Sequence, residues 1–203
     1  MITKRIIPCL DIENGQVVKG INFGRLVQIG TPVELALKYC NEGADELCLL
    51  DINASAENRH AMLSIVRKVA TTIFIPFTVG GGVKTIEDIQ LLLKTGADKV
   101  SIGTAAVINP ELIRNAAKKF GSQCIVVSLD VKIRQGEYIL YIYGGNKETK
   151  INAVNFAREC ARLGAGELLV NSIDRDGTAN GYDTALLKEI SESVKIPLIA
   201  SSG

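Results

Sequence analysis

The run Ile75-Pro76-Phe77-Thr78-Val79-Gly80-Gly81-Gly82 returns later in the chain as Ile196-Pro197-Leu198-Ile199-Ala200-Ser201-Ser202-Gly203. Gly43-Ala44-Asp45-Glu46-Leu47 returns as Gly164-Ala165-Gly166-Glu167-Leu168, and both pairs lie 121 residues apart (75 to 196 and 43 to 164). Near that offset, an apolar run from Arg5 to Leu10 ending in Asp11 is answered by Cys124 to Leu129 ending in Asp130. Self-similarity at a fixed period marks a duplicated structural unit. Each copy places one carboxylate at the end of its first strand, so two acids are expected to face one substrate about a pseudo-twofold axis.

Around these repeats, short β-branched runs alternate with longer amphipathic ones, which predicts strand–helix units and a parallel sheet. Strands are expected near 5–11, 46–51, 74–79, 98–103, 123–130, 167–172 and 196–201. Thr31-Pro32-x-Glu34 reads as a capping box with proline at the first helical position, opening a helix over 32–42 that Gly43 stops. Thr85 with Asp88 and Asn109-Pro110 start two more helices, which Gly96 and Gly121 end; others are expected near 57–70, 152–163 and 183–193. Seven strands and six helices with no Pro/Gly/Ser-rich linker predict a single domain over 1–203. The fold class is α/β, a (β/α)8 TIM-type barrel built from two half-barrel repeats. Such a barrel takes ~200 to 250 residues, so this one is expected to be incomplete, lacking its C-terminal strand and helices and leaving strands 1 and 7 with open edges.

Two stretches exceed plain connectors. Residues 12–30, with Glu13-Asn14-Gly15, Lys19-Gly20 and Gly24, are expected to form a mobile lid after the first strand. Residues 131–150 hold Tyr138 to Tyr143, a strand of a small hairpin turned by Gly136 and Gly144-Gly145.

The composition narrows the partners. The 203 residues are 47% apolar with a net charge of +1, enough for a large core and without a basic stripe for nucleic acid. No apolar run reaches the ~18 residues of a membrane span, and no signal-type segment precedes the first strand, so a cytoplasmic location is expected. The five cysteines (Cys9, Cys40, Cys48, Cys124, Cys160) lack metal-ligand spacing and read as reduced packing residues. The one histidine, His60, reads as a surface residue; no metal and no cofactor are expected.

The C-terminal ends of parallel barrel strands carry function, and Asp11 and Asp130 sit there. Two carboxylates divide acid and base work when their surroundings separate their pKa values; the alternative is that each caps its loop through an Asx-type hydrogen bond. Gly80-Gly81-Gly82, together with Gly103 and Thr104 after strand 4, reads as one phosphate cradle, and Ser201-Ser202-Gly203 reads as half of a second. Asp176 and Gly177 belong on that same rim, though single glycine runs also serve tight turns. Two cradles imply a small-molecule substrate with a phosphate at each end. At the opposite strand ends, Arg5, Glu46, Lys99 and Glu167 bring two charges of each sign, which suits a gate or docking ring more than a stabilising staple.

Taken together, Ile7-Pro8-Cys9-Leu10-Asp11, Val17-Val18-Lys19-Gly20, Leu50-Asp51-Ile52, Phe77 to Gly82, Ala97 to Ser101 and Ser172 to Thr178 resemble the family of imidazole glycerol phosphate synthase cyclase subunits, enzymes of histidine biosynthesis. The resemblance runs from Arg5 to Gly203. It implies ammonia-dependent cyclisation and cleavage of a phosphoribulosyl formimino carboxamide ribonucleotide, with acid/base roles on Asp11 and Asp130. It also implies that Lys19 closes on substrate from a mobile loop, and that Asp51 and Asp176 line the mouth. Arg5, Glu46, Lys99 and Glu167 would then gate ammonia from a docked glutaminase subunit in a heterodimer, and Asp98 would belong to that interface. Two positions depart from the family pattern: Ser202 stands where a glycine is usual and Gly103 where asparagine is often found. The rival readings are the sister isomerase of the same pathway, which lacks a glutaminase, and a non-catalytic barrel fragment.

Overall fold

Helix stops and strand starts in this protein are built from one repeated tripeptide. In the computed structural model, which describes residues 4–21, 25–53 and 56–203, Gly43, Gly96 and Gly164 each end a helix with positive φ. The residue two places on then ties the incoming chain to the neighbouring strand. Asp45 donates its amide to the Ile6 carbonyl (3.1 Å) and accepts the Ile6 amide on its carboxylate (2.7 Å). Asp98 does the same with Phe77, at 3.1 Å and 2.9 Å. The third copy has Gly166, whose amide bonds the Ile125 carbonyl at 2.9 Å; a side chain there would run into the Ser122 carbonyl. Glycine replaces aspartate where the neighbouring turn leaves no room.

The chain divides into two compact units, Met1–Val100 and Ser101–Gly203. The first holds β1 (Cys9–Glu13), β2 (Gln16–Ile21), β3 (Arg25–Gly30), α1 (Pro32–Asn41), β4 (Leu47–Asp51), α2 (Ala56–Ala70), β5 (Phe77–Gly80) and α3 (Ile86–Thr95). Strand β6 (Lys99–Ile102) spans the boundary. The second unit holds α4 (Thr104–Ile108), α5 (Glu111–Phe120), β7 (Ile125–Arg134), β8 (Glu137–Ile142), β9 (Lys147–Asn152), α6 (Ala153–Leu163), β10 (Glu167–Ser172), α7 (Thr184–Ser193) and β11 (Leu198–Ser201). Strands β1, β4 and β5 pair in parallel in the first unit, as β7, β10 and β11 do in the second. This is an α/β, (β/α)8 TIM-type fold, incomplete in that the described residues supply seven of its strands. Among the described residues no helix is long and apolar enough to cross a membrane.

Local rules place the helices. Thr31 with Glu34 and Thr85 with Asp88 form reciprocal capping boxes, while Asn152 and Asp183 cap α6 and α7. The short α4 was not expected: the chain makes one helical turn after β6 before Asn109-Pro110 opens α5, giving seven α-helices among the described residues where six were read. Leu10, Leu47, Leu49, Val66 and Ile89 fill the first unit's core, and Ile113, Val127, Leu129, Leu168 and Ile190 the second's.

The stretch 12–30, expected as a loop-like lid, is strand in the structure over Gln16–Ile21 and Arg25–Gly30. Strand β1 continues through Asp11 to Glu13, turns at Asn14-Gly15 and returns as β2, with β3 alongside, both antiparallel; residues 22–24 of this stretch lie outside the described residues. The physical reason is backbone satisfaction. Past Asp11 the polar groups of β1 pair with β2, which also covers part of the edge expected to be open, and Val17 and Val18 gain burial. The 131–150 insert follows the same plan. Strand β7 runs four residues past Asp130 and pairs with β8, which pairs with β9. Each unit thus extends its aspartate-bearing strand into an antiparallel hairpin, and neither aspartate is terminal.

Gly166→Ala is expected to cost about 1–3 kcal/mol because the backbone of Ser122 cannot yield. Gly20→Ala, on an open strand position with nothing near the added methyl, should leave stability unchanged. Urea unfolding midpoints compare the two; equal midpoints would contradict the crowding argument.

Candidate functional site

In the first unit, Asp11 lies where β1 exchanges partners: it is in register with Leu50 of β4 on the parallel side and with Val18 of β2 on the antiparallel side. Leu50 is in turn level with Gly80 of β5. Asp11 is exposed, between the buried Leu10 and Ile12. Two residues earlier on the same strand face, Cys9 is level with Cys48. Its thiol keeps open surface, yet it is pushed well above its ordinary pKa by a hydrogen bond with the Cys48 thiol, then by desolvation and by the Asp11 charge. A thiol so held stays protonated and unreactive. All five cysteines are free, as read.

Asp51 is one register step beyond Asp11, level with Ile12. Its carboxylate accepts the Asn53 amide at 3.1 Å, an Asx turn. Gly81 (φ +95) passes so close to the Asp51 backbone that a side chain has no room, and Gly82 follows it with φ +64. Lys19, expected on a mobile loop, is an exposed residue of β2 level with Val27.

At the other strand ends, three of the four predicted ring residues meet. Arg5 Nη1 lies 2.5 Å from Glu46 Oε1, and Lys99 Nζ lies 2.9 Å from Glu46 Oε2. Glu46 is only 8% exposed, so each carboxylate oxygen is held by its own cation. Glu167 occupies the corresponding place in the second unit, buried at the start of β10. Asp98 keeps one carboxylate oxygen on the Phe77 amide, as described, and remains exposed. Ile6 and Phe74, 65% and 97% exposed, flank this end of the strands.

In the second unit, Asp130 lies at the matching exchange of partners, level with Asn171 of β10 and with Tyr141 of β8. Asn171 Nδ2 donates to Asp130 Oδ1 at 3.0 Å. Burial raises the Asp130 carboxyl above the ordinary carboxylate range; the Asn171 hydrogen bond opposes this and the Asp176 charge adds to it. Asn171 also accepts from the Ser202 hydroxyl, which lies 3.0 Å from Asp176 Oδ1. Ser202, Asp176 and the adjoining Gly177 and Gly203 therefore come together beside Asp130. Thr104 at the start of α4 accepts the Tyr143 amide on its hydroxyl (2.8 Å), and Gly103 precedes it, facing Ser128. Asn171 was missed in the sequence. The available signal was a polar residue ending the run Leu168-Leu169-Val170, at the level where strand pairing puts Asp130. Among the described residues no cluster of His, Cys, Asp or Glu is arranged to hold a metal.

Each unit thus carries an aspartate at the same exchange of strand partners, and the fold places the chain in the (β/α)8-barrel class of proteins. Residues 5–203 match the family described as histidine biosynthesis protein. The chain is 57% identical to imidazole glycerol phosphate synthase subunit HisF of an Exiguobacterium species, an alignment covering all of this chain and 80% of that protein. It is 54% identical to the protein of the same name from Methanocaldococcus jannaschii (all of this chain, 82% of the relative) and 53% to that of Alkaliphilus metalliredigens (all and 81%). The chain belongs to the histidine biosynthesis protein family.

A carboxyl raised by folding costs stability once it must ionise. The unfolded Asp130 ionises at about 3.9, so the cost is absent below that pH, grows as pH rises and is complete above the folded pKa. Asp130→Asn is therefore expected to unfold at higher urea than the parent at pH 7, with the gain vanishing below about pH 3.5. A gain that persists in acid would contradict the desolvation assignment.

Proposed function

We propose that this chain is the cyclase of histidine biosynthesis, converting phosphoribulosyl formimino aminoimidazole carboxamide ribonucleotide and ammonia into imidazole glycerol phosphate and aminoimidazole carboxamide ribotide in the cytoplasm. The observation that carries the reading is the repeated placement of Asp11 and Asp130, at the same exchange from parallel to antiparallel pairing in each unit, in a chain whose relatives bear the name of that synthase subunit. Ammonia adds to the substrate ketone, water leaves, and closure of the imidazole ring expels the carboxamide nucleotide. Each step moves protons near neutral pH, which two carboxyl groups of separated pKa accomplish.

In this reading Asp11 and Asp130 are the acid/base pair and Lys19 and Asp51 assist at the first unit's strand ends. Gly81, Gly82, Gly103, Thr104, Asp176, Gly177, Ser202 and Gly203 seat the two phosphates through backbone amides and hydroxyls. Arg5, Glu46, Lys99 and Glu167 gate ammonia delivered by a glutaminase subunit. The exposed Phe74 and Ile6, with the charged Asp98 near them, supply that subunit with an apolar anchor and a polar rim.

Turnover with ammonium salts tests the chemistry. Asp11→Asn and Asp130→Asn should each lower kcat by about 10² or more while substrate affinity, followed by titration, stays within a few-fold. Parental turnover by either variant, or isomerisation of the aminoaldose precursor in place of cyclisation, would overturn the reading.

Docking is separately testable. Phe74→Ser is expected to weaken glutaminase association about tenfold, the loss of one apolar anchor, with ammonium-driven turnover retained. Unchanged association in ultracentrifugation would move the docking surface elsewhere.

A further inference from the structure

We propose that Asn171 is the positioning residue for Asp130: it fixes one carboxylate oxygen so that the other is presented to substrate, and Ser202 in turn fixes Asn171. The inference rests on the acid/base reading of Asp130 given above. Three contacts carry it. Asn171 Nδ2 donates to Asp130 Oδ1 at 3.0 Å, Asn171 Oδ1 accepts from the Ser202 hydroxyl, and the same hydroxyl lies 3.0 Å from Asp176 Oδ1. The orientation of the amide follows from its partners. A carboxylate offers only acceptors and the hydroxyl needs one, so a flipped amide would set oxygen against oxygen at Asp130 and strand the Ser202 proton.

Strand register makes the arrangement rigid. Asn171 sits between Asp130 of β7 and Ser201 of β11 in one row across three parallel strands, so its backbone cannot shift relative to either. Ser202 follows in a left-handed conformation, φ +69, which a side chain adopts only at a cost of about 1 kcal/mol or more. Its hydroxyl contacts offset that cost. They also connect the Ser202-Gly203 segment to the acid/base group, so an anion seated on that segment acts on Asp130 through one amide. One hydroxyl proton serves two acceptors, Asn171 and Asp176, which makes the charge on Asp176 part of the same circuit.

The charged and titratable groups around Asp130 in this unit are few. Asp176 faces it from the loop after β10 and raises its pKa. Tyr141 lies opposite on β8, its hydroxyl engaged by Arg134 (2.7 Å) and Glu148 (2.5 Å). Lys132 and Arg134 follow at two-residue spacing along β7. Asn171 is the hydrogen-bond donor that favours the ionised form, so its removal leaves burial and Asp176 unopposed.

The test is a carboxyl-carbon NMR titration of Asp130 in the parent protein, Asn171→Ala, Asn171→Ser, Ser202→Gly and the Asn171→Ala/Ser202→Gly double variant. Asp130 should titrate at higher pH in Asn171→Ala, by a smaller step in Ser202→Gly, and no further in the double variant than in Asn171→Ala. Asn171→Ser, which keeps a shorter donor, should restore part of the shift. The limb of the ammonia-driven pH–rate profile that belongs to Asp130 should move with it. An unchanged Asp130 titration in folded Asn171→Ala overturns the proposal, and additive single and double variants overturn the role of Ser202. If Asn171→Ala does not fold, the same titration in Ser202→Gly decides: an unshifted Asp130 there rejects the linkage. The titration needs no substrate, so a failure of the cyclase reading would show as absent turnover in the parent while this measurement stands.

Discussion

The constraint on which the rest depends is that no backbone amide or carbonyl leaving a buried parallel strand can go without a partner. In β1 and β7 the parallel neighbour serves the strand to one residue past the aspartate, and an antiparallel hairpin pairs with the strand from the aspartate onward. Asp11 and Asp130 are thus held on both sides by ladders rather than suspended on loop ends. The ladders fix the backbone at each aspartate, and the direction of the side chain is left to its own contacts, as Asn171 shows for Asp130.

The two ends of the strands treat charge in opposite ways. Glu46 is buried and given two cations, one for each oxygen, so its charge is neutralised where it stands. Asp130 is given a neutral amide and another carboxylate nearby, which leaves its proton affinity high. The first arrangement suits a fixed structural charge and the second a group that must gain and lose a proton. Buried ion pairs contribute little net stability against apolar packing, so folding energy alone is a weak explanation of the Glu46 cluster.

Much of the fold was legible because helix ends sit at places that local rules mark. The capping boxes at Thr31 and Thr85 and the helix-ending glycines Gly43, Gly96 and Gly121 act through neighbours a few residues away, and the structure has them where the sequence put them. Asn171 was not legible, because its partner Asp130 is 41 residues distant and nothing local distinguishes an asparagine at a strand end from a turn former. The strands Gln16–Ile21 and Arg25–Gly30 were not read in the sequence because Lys19, Gly20 and Gln28 break the apolar alternation that signals strands. Its pairing comes from the need of β1 for a partner, a requirement no short window displays.

Periodicity, caps and the internal repeat by themselves determined the fold class, the order of barrel strands and helices, and the equivalent places of Asp11 and Asp130 in the two repeats. These depend on spacing along the chain, and spacing is what a sequence records. Only tertiary structure decided which groups share a row across β7, β10 and β11, and therefore that Asn171 reaches Asp130 and is itself reached by Ser202. Register between strands is set by the packing of whole helices and sheets, and that information is distributed over the chain instead of residing in any segment of it.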